Sequence, residues 1–181
     1  MENPVDRMTL VTTWLLAGWY PQSRGVKKPY NAVLGEFFRC FWEHPDHSRT
    51  WYLAEQVSHH PPITAFRFEN RQQGWYVDAH IFTKTKFLGN SVVCYLVGDV
   101  HLKLVRKKNA PVAGQKPWEV LSKSVSMDSD DFEIEDYELI LPGVYGRGIL
   151  IGRLAVEVCD KLICTCPQTM LCSDIDFKAK V

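Results

Sequence analysis

WYVDAHIFTK, residues 75–84, alternates strictly. Trp75, Val77, Ala79, Ile81 and Thr83 fall on one register, and Tyr76, Asp78, His80, Phe82 and Lys84 on the other. A period of two held over ten residues is the pattern of a half-buried β-strand. Gly74 before it and Gly89-Asn90 after it supply turns. Working outward, residues 50–54 and 63–68 read as shorter strands. Residues 92–97, followed by Val100, Leu102 and Leu104 alternating with His101 and Lys103, predict a hairpin turning at Gly98-Asp99. Residues 137–141, 149–151, 154–158 and 162–166 are further strand candidates. Short strands in succession with few helices between them predict a mainly β fold, an antiparallel meander curved into an incomplete β-barrel.

One helix precedes the strands. Residues 6–18 place Met8, Val11, Leu15 and Leu16 at helical spacing, with Trp19 beyond. Asp6 is the expected cap and Gly18 the expected stop. A basic, irregular connector follows, with Pro21, Gly25, Lys27, Lys28 and Pro29. Residues 106–131 break the sheet pattern, running from Arg106, Lys107 and Lys108 through Pro111, Gly114 and Pro117 to Asp128, Asp130 and Asp131. So long a stretch is expected to be an exposed insertion, with a short helix near residues 118–122. Residues 1–181 otherwise read as a single domain.

Composition narrows the function classes. The 21 basic residues balance 21 acidic ones, which argues against a general nucleic-acid binder. No apolar run approaches the ~20 residues that span a bilayer, and the start lacks a signal-peptide pattern. Six cysteines without a secretion signal favour reduced thiols and a cytoplasmic setting.

The chemistry concentrates in EQVSHHPP, residues 55–62, where His59 and His60 stand against Pro61 and Pro62. Proline fixes its own φ and restricts the residue before it, so both imidazoles leave a stiff, non-helical backbone. Such a pair can donate hydrogen bonds to an anion, bind a metal, or simply close a strand on nearby carbonyls. A metal needs further ligands, and neither a second acidic residue nor paired Cys/His spacing accompanies the pair. An anion needs positive charge and donors, which Lys28 and Asn31 offer.

EQVSHHPP, with KKPYNAVLGEFFRC (residues 27–40), DRMTLVTTWLLAG (6–18) and TKTKFLGNS (83–91), resembles the oxysterol-binding protein family of lipid-transfer proteins. The wording is nearest the branch linked to phosphatidylserine transport. The resemblance implies a barrel with a lipid tunnel. It implies that Lys28, His59 and His60 contact the 4-phosphate of phosphatidylinositol 4-phosphate, and that Asn31 contacts the inositol or glycerol region or a second lipid's headgroup. It further implies exchange of that lipid for phosphatidylserine or a sterol between membranes, at contact sites involving the endoplasmic reticulum. Neither a cofactor nor covalent chemistry is expected. Ala32 stands where the family usually has Pro, which removes stiffness but no polar group. Lys84, Lys86 and Ser91 are candidates for the tunnel mouth, against the reading that they are merely solvated.

The family's lipid-binding domain is roughly twice this length, so the expectation is either part of a longer protein or a reduced version with an open tunnel. The reduced version keeps alive a rival reading, a lipid-sensing or protein-interaction module that holds lipid without moving it. A metal-dependent hydrolase ranks third, since no G-x-S-x-G, phosphate loop or H-E-x-x-H is present. Cys159, Cys164, Cys166 and Cys172 lack the knuckle spacing of a zinc site and read as buried thiols.

Overall fold

The computed structural model describes residues 2–19, 30–108 and 132–178. It is mainly β, with one helix, α1 (Pro4–Gly18), followed by β1 (Phe37–Glu43), β2 (Arg49–Ser58), β3 (Ile63–Asn70), β4 (Trp75–Phe87), β5 (Ser91–Lys107), β6 (Phe132–Ile140), β7 (Gly143–Arg147), β8 (Ala155–Cys166) and β9 (Leu171–Phe177). The helix starts two residues before the expected point, because Pro4 fits the first turn and the Asn3 side chain accepts from Val5 N–H. Asp6 therefore lies inside the first turn, where its charge suits the helix dipole.

All pairings are antiparallel, and the meander expected from the sequence is present. β6 and β7 occupy one track, since both lie between β5 and β8. The track breaks at Leu141-Pro142, where proline has no N–H to give the ladder. From His101↔Glu138 to Cys94↔Val144, β5 advances seven residues while the broken track advances six. β8 likewise spends four residues between Ile163 and Cys159 while the track spends three, and Asp160 sits in that stretch with φ +66°. Each neighbour thus carries one extra residue beside the break, as in a β-bulge. The sheet curls there into a partial ring whose terminal strands are β1 and β9.

Four expectations need correction. The hairpin at Gly98-Asp99 is instead a continuous seventeen-residue strand, because the β4 pairing runs unbroken through Ile81↔Gly98 and His80↔Asp99. Gly98 is required by crowding: a Cβ there would lie 1.9 Å from the His80 carbonyl oxygen. Residues 154–158 and 162–166 are not two strands but the single bulged β8, and residues 149–151 form an irregular connection. β1 and β9 went unrecognised in the sequence. Arg106 and Lys107, read above as the start of an insertion, instead extend β5 against Glu133 and Phe132. Residues 109–131, including the expected short helix, lie outside the described residues.

The core forms where α1 lies against the concave face. Met8, Val11 and Leu15 pack with Val77, Val100, Leu102, Tyr137, Leu139, Leu162, Cys164 and Cys166. Burial of so many apolar side chains supplies the main stabilisation, at about 1.5–3 kcal/mol for each large one. An ion cluster fixes the helix's rotation. The buried Arg7 donates through Nε to Glu135 at 2.8 Å and pairs with its other oxygen through Nη2, while Tyr137 Oη donates to Glu135 at 2.9 Å. Arg106 adds a contact at 3.1 Å. Burial works against the Glu135 charge, but the hydrogen bonds from Arg7 and Tyr137 and the adjacent cations outweigh it and hold the carboxyl below its usual range.

Candidate functional site: the end of the sheet that carries the histidine pair

The registers place four connections at one end of the sheet. Phe37 pairs with Glu55, Ile63 with Phe82, and Ser91 with Arg147. Residues 30–36, the turn 59–62, the β4–β5 turn at 88–90 and the β7–β8 connection at 148–154 therefore share that end.

His59 and His60 occupy the β2–β3 turn, with ring centroids 4.6 Å apart and planes inclined by 63°. The His60–Pro61 peptide is cis. His59 is half-buried and His60 exposed. His59 Nδ1 lies 2.9 Å from the carbonyl oxygen of Ala32. A carbonyl only accepts, so Nδ1 carries the proton, and Nε2 is left to face a ligand. In the neutral ring Nε2 accepts; it donates to an anion only as the imidazolium. The bond uses the backbone of residue 32, so alanine in place of proline leaves it intact.

This contact brings together segments 27 residues apart. Asn31, exposed, is the residue next to Ala32 and so sits beside the histidine turn. Lys28 lies outside the described residues. Lys84 and Lys86 are exposed on the part of β4 that runs past its pairing with β3, two and four residues beyond Phe82, which lies opposite Ile63. The Lys84 ammonium stands 5.2 Å from the Phe82 ring centroid. Ser91 is half-buried, opposite Arg147.

Gln56 holds this arrangement and was missed in the sequence. It is 4% exposed. Its Nε2 donates to the Ser58 carbonyl at 2.9 Å, and its Oε1 accepts from Thr64 Oγ1 at 2.8 Å. Its backbone N–H donates to the Glu36 carbonyl and its own carbonyl accepts from Gly35 N–H, both at 2.9 Å. One residue thus ties the histidine turn to the loop that carries Asn31. The loop itself closes reciprocally: Glu36 Oε2 accepts from Val33 N–H, and Glu36 N–H donates to the Val33 carbonyl, each at 3.0 Å. Gly35, with φ +78°, supplies the positive φ that the third residue of this turn demands. The signal available in the sequence was a glutamine amid the β2 pattern, inside the motif itself.

Below the histidines an aromatic trough runs along the concave face beside α1. Trp14 stacks on Phe68 at 6.4 Å, Phe68 meets Trp42 at 5.6 Å and Tyr52 at 6.0 Å, and Tyr52 meets Phe38 at 6.2 Å. Phe38 and Trp42 are 61% and 49% exposed, an apolar surface of the kind that marks a binding site. Burial pushes the thiol of Cys164 up to about 12 and that of Cys159 up to about 11, so both remain protonated core groups. Among the described residues no group of three or more His, Cys, Asp or Glu side chains is placed to hold a metal ion.

The family model described as oxysterol-binding protein matches residues 1–181. The chain belongs to the oxysterol-binding protein family. It is 38% identical over 180 residues to oxysterol-binding protein-related protein 5 of Mus musculus, covering 99% of this chain and 18% of the relative. To oxysterol-binding protein homolog 6 of Saccharomyces cerevisiae it is 35% identical over 179 residues, covering 99% of this chain and 35% of the relative. The crystal structure of the Osh1 ORD domain in complex with ergosterol superposes with a TM-score of 0.74 at 27% identity, covering 99% of this chain and 37% of that one. The Osh3 ORD of Saccharomyces cerevisiae, solved in complex with PI(4)P, shares the fold with a TM-score of 0.62 at 21% identity, over 86% of this chain and 33% of that one. The chain thus spans about a fifth to a third of these relatives' lengths.

Proposed function

We propose that this chain binds a phosphoinositide headgroup at the histidine end of the sheet and shelters the lipid's apolar part along the aromatic trough. The observation that carries the reading is the His59–Ala32 bond, which seats the loop bearing Asn31 beside the paired imidazoles at the trough's end. His60 and Asn31 supply directional hydrogen bonds, joined by His59 Nε2 when its ring is an imidazolium, and Lys28 supplies the charge that a phosphate monoester favours. Each buried CH₂ contributes about 0.8 kcal/mol, so acyl chains or a sterol skeleton have reason to leave water for Phe38, Trp42 and Tyr52. The ligand of this type is phosphatidylinositol 4-phosphate. Exchange for a sterol or for phosphatidylserine follows if both occupy the same trough, and such exchange places the protein where two membranes approach, in the cytoplasm at contacts with the endoplasmic reticulum. Association with ergosterol and with PI(4)P in the family's solved structures supports the two ligand classes. Among the described residues no helix is long and apolar enough to cross a membrane.

The test is extraction of labelled phosphatidylinositol 4-phosphate from liposomes, followed by delivery to acceptor liposomes. The paired substitution His59→Ala with His60→Ala is expected to remove extraction while the far-ultraviolet spectrum and melting curve persist. Unchanged extraction overturns the site. Extraction without delivery by the natural chain supports the sensing reading instead.

A further inference from the structure

At the same end of the sheet two connections are hydrogen-bonded into one unit. Asn90, in the β4–β5 turn, accepts through Oδ1 from the N–H groups of Leu150 and Ile151, both at 2.9 Å, and donates through Nδ2 to the Ile151 carbonyl at 2.7 Å. Its own carbonyl accepts from Ile149 N–H at 3.2 Å. Four hydrogen bonds from one residue thus set the backbone of the β7–β8 connection. Gly148 tightens the base of that connection, with φ +69° and the Arg153 carbonyl so close that a Cβ would lie 2.3 Å from it.

The unit displays apolar side chains that its own hydrogen bonds leave outside. Leu150 and Ile151 are 69% and 81% exposed, and Phe87, Leu88 and Ile149 are exposed beside them. Its charge has one sign. Residues 83–92 and 143–156 contain Lys84, Lys86, Arg147 and Arg153 and no aspartate or glutamate. Arg147 is paired with Glu157, while Lys84, Lys86 and Arg153 stand exposed. An exposed apolar tip flanked by cations and held by the Asn90 hydrogen bonds matches the boundary layer of a bilayer, where side chains enter the acyl region and cations meet anionic headgroups.

We infer that the Asn90-latched tip, led by Leu150 and Ile151, inserts into an anionic membrane surface and sets the histidine end of the sheet against it. The occupant is a bilayer rather than a protein, because the exposed tip combines apolar side chains with Lys84, Lys86 and Arg153, and residues 83–92 and 148–154 hold no acidic group that an acidic bilayer surface would meet. The inference deepens the proposed lipid binding, since a headgroup site at that end meets its ligand only if that end touches the membrane.

The test uses flotation of the full chain with phosphatidylcholine–phosphatidylserine vesicles at about four to one, free of phosphoinositide, with phosphatidylcholine vesicles as comparison. Leu150→Glu with Ile151→Glu is expected to lower vesicle affinity by at least about tenfold. Arg153→Ala is expected to lower it about fivefold. Both variants should keep the wild-type melting curve, because these side chains are exposed, and should keep wild-type affinity for a water-soluble, short-chain phosphatidylinositol 4-phosphate. Vesicle affinity that ignores the paired glutamates overturns the inference and assigns the tip to another segment or a protein partner. Equal binding to neutral and anionic vesicles also overturns it. If the short-chain lipid fails to bind any variant while flotation responds as expected, the tip stands and the headgroup reading falls.

Discussion

Replacing Gln56 by glutamate changes one NH₂ into an oxygen at a site that is 4% exposed, and so isolates what this residue contributes. The amide donates to the Ser58 carbonyl at 2.9 Å. A carboxylate there offers no proton, faces that carbonyl with like partial charge, and is itself desolvated. Losing the bond and leaving its acceptor unpaired costs about 2–3 kcal/mol, given that Ser58 is only partly buried. For a chain of this size that lowers the melting temperature by roughly 5–10 °C. The sign of the pH dependence follows from the site. Burial and the facing carbonyl raise the introduced carboxyl above its unfolded value of about 4.3, so the folded state favours the protonated form. That form regains a donor toward Ser58. The deficit relative to wild type should be smallest below the unfolded value and complete once pH exceeds the raised folded value. Differential scanning fluorimetry of both proteins across pH reads this directly. A deficit that stays constant with pH, or a variant as stable as wild type at neutral pH, refutes the role assigned to Gln56. Affinity for short-chain phosphatidylinositol 4-phosphate should fall in parallel with stability, because the same bond positions the histidine turn.

Glu135→Gln leaves the Arg7 guanidinium, 6% exposed, without its counter-charge, and urea unfolding at neutral pH should show a loss of about 3–5 kcal/mol. Because the native Glu135 carboxyl is held below its usual range, its stabilisation is present above the unfolded value of about 4.3 and drains away as pH falls through the lower folded value; the variant's acid limb should be correspondingly flatter. Gly98→Ala drives a Cβ to 1.9 Å from the His80 backbone oxygen at φ +150°, and soluble yield or melting temperature should collapse, a loss of at least about 3 kcal/mol. Gly18→Ala, with nothing within 4 Å of the added Cβ, should be close to neutral in the same assay.

The meander was legible because β4 alternates without interruption, and its neighbours repeat the pattern in shorter pieces. β5 was misread at Gly98-Asp99 because glycine followed by aspartate is ordinarily turn chemistry, while the need for a side-chain-free residue against β4 arises only once two strands are paired. β1 was hidden because Phe37, Phe38, Phe41 and Trp42 put aromatics on both faces and so erase the alternation. β8 looked like two strands because a bulge at Asp160 interrupts the period. Of the candidate site, the sequence offered Lys28, Asn31, His59 and His60; the His59–Ala32 bond brings the last three near one another, and Lys28 lies outside the described residues. Asn90 and the Arg7–Glu135 pair were invisible for a common reason: their partners lie 60 and 128 residues away in the chain, and no local pattern encodes them.

The break at Leu141-Pro142 has an architectural effect. With one surplus residue in each flanking strand, the three tracks fold along a single crease that crosses the sheet. The arc of the sheet, and with it the room for the lipid proposed above, then responds to the residue count at that crease as well as to the packing of the core. A relative that gains or loses one residue there could accept a bulkier or slimmer guest while every hydrogen bond around the histidines stays in place.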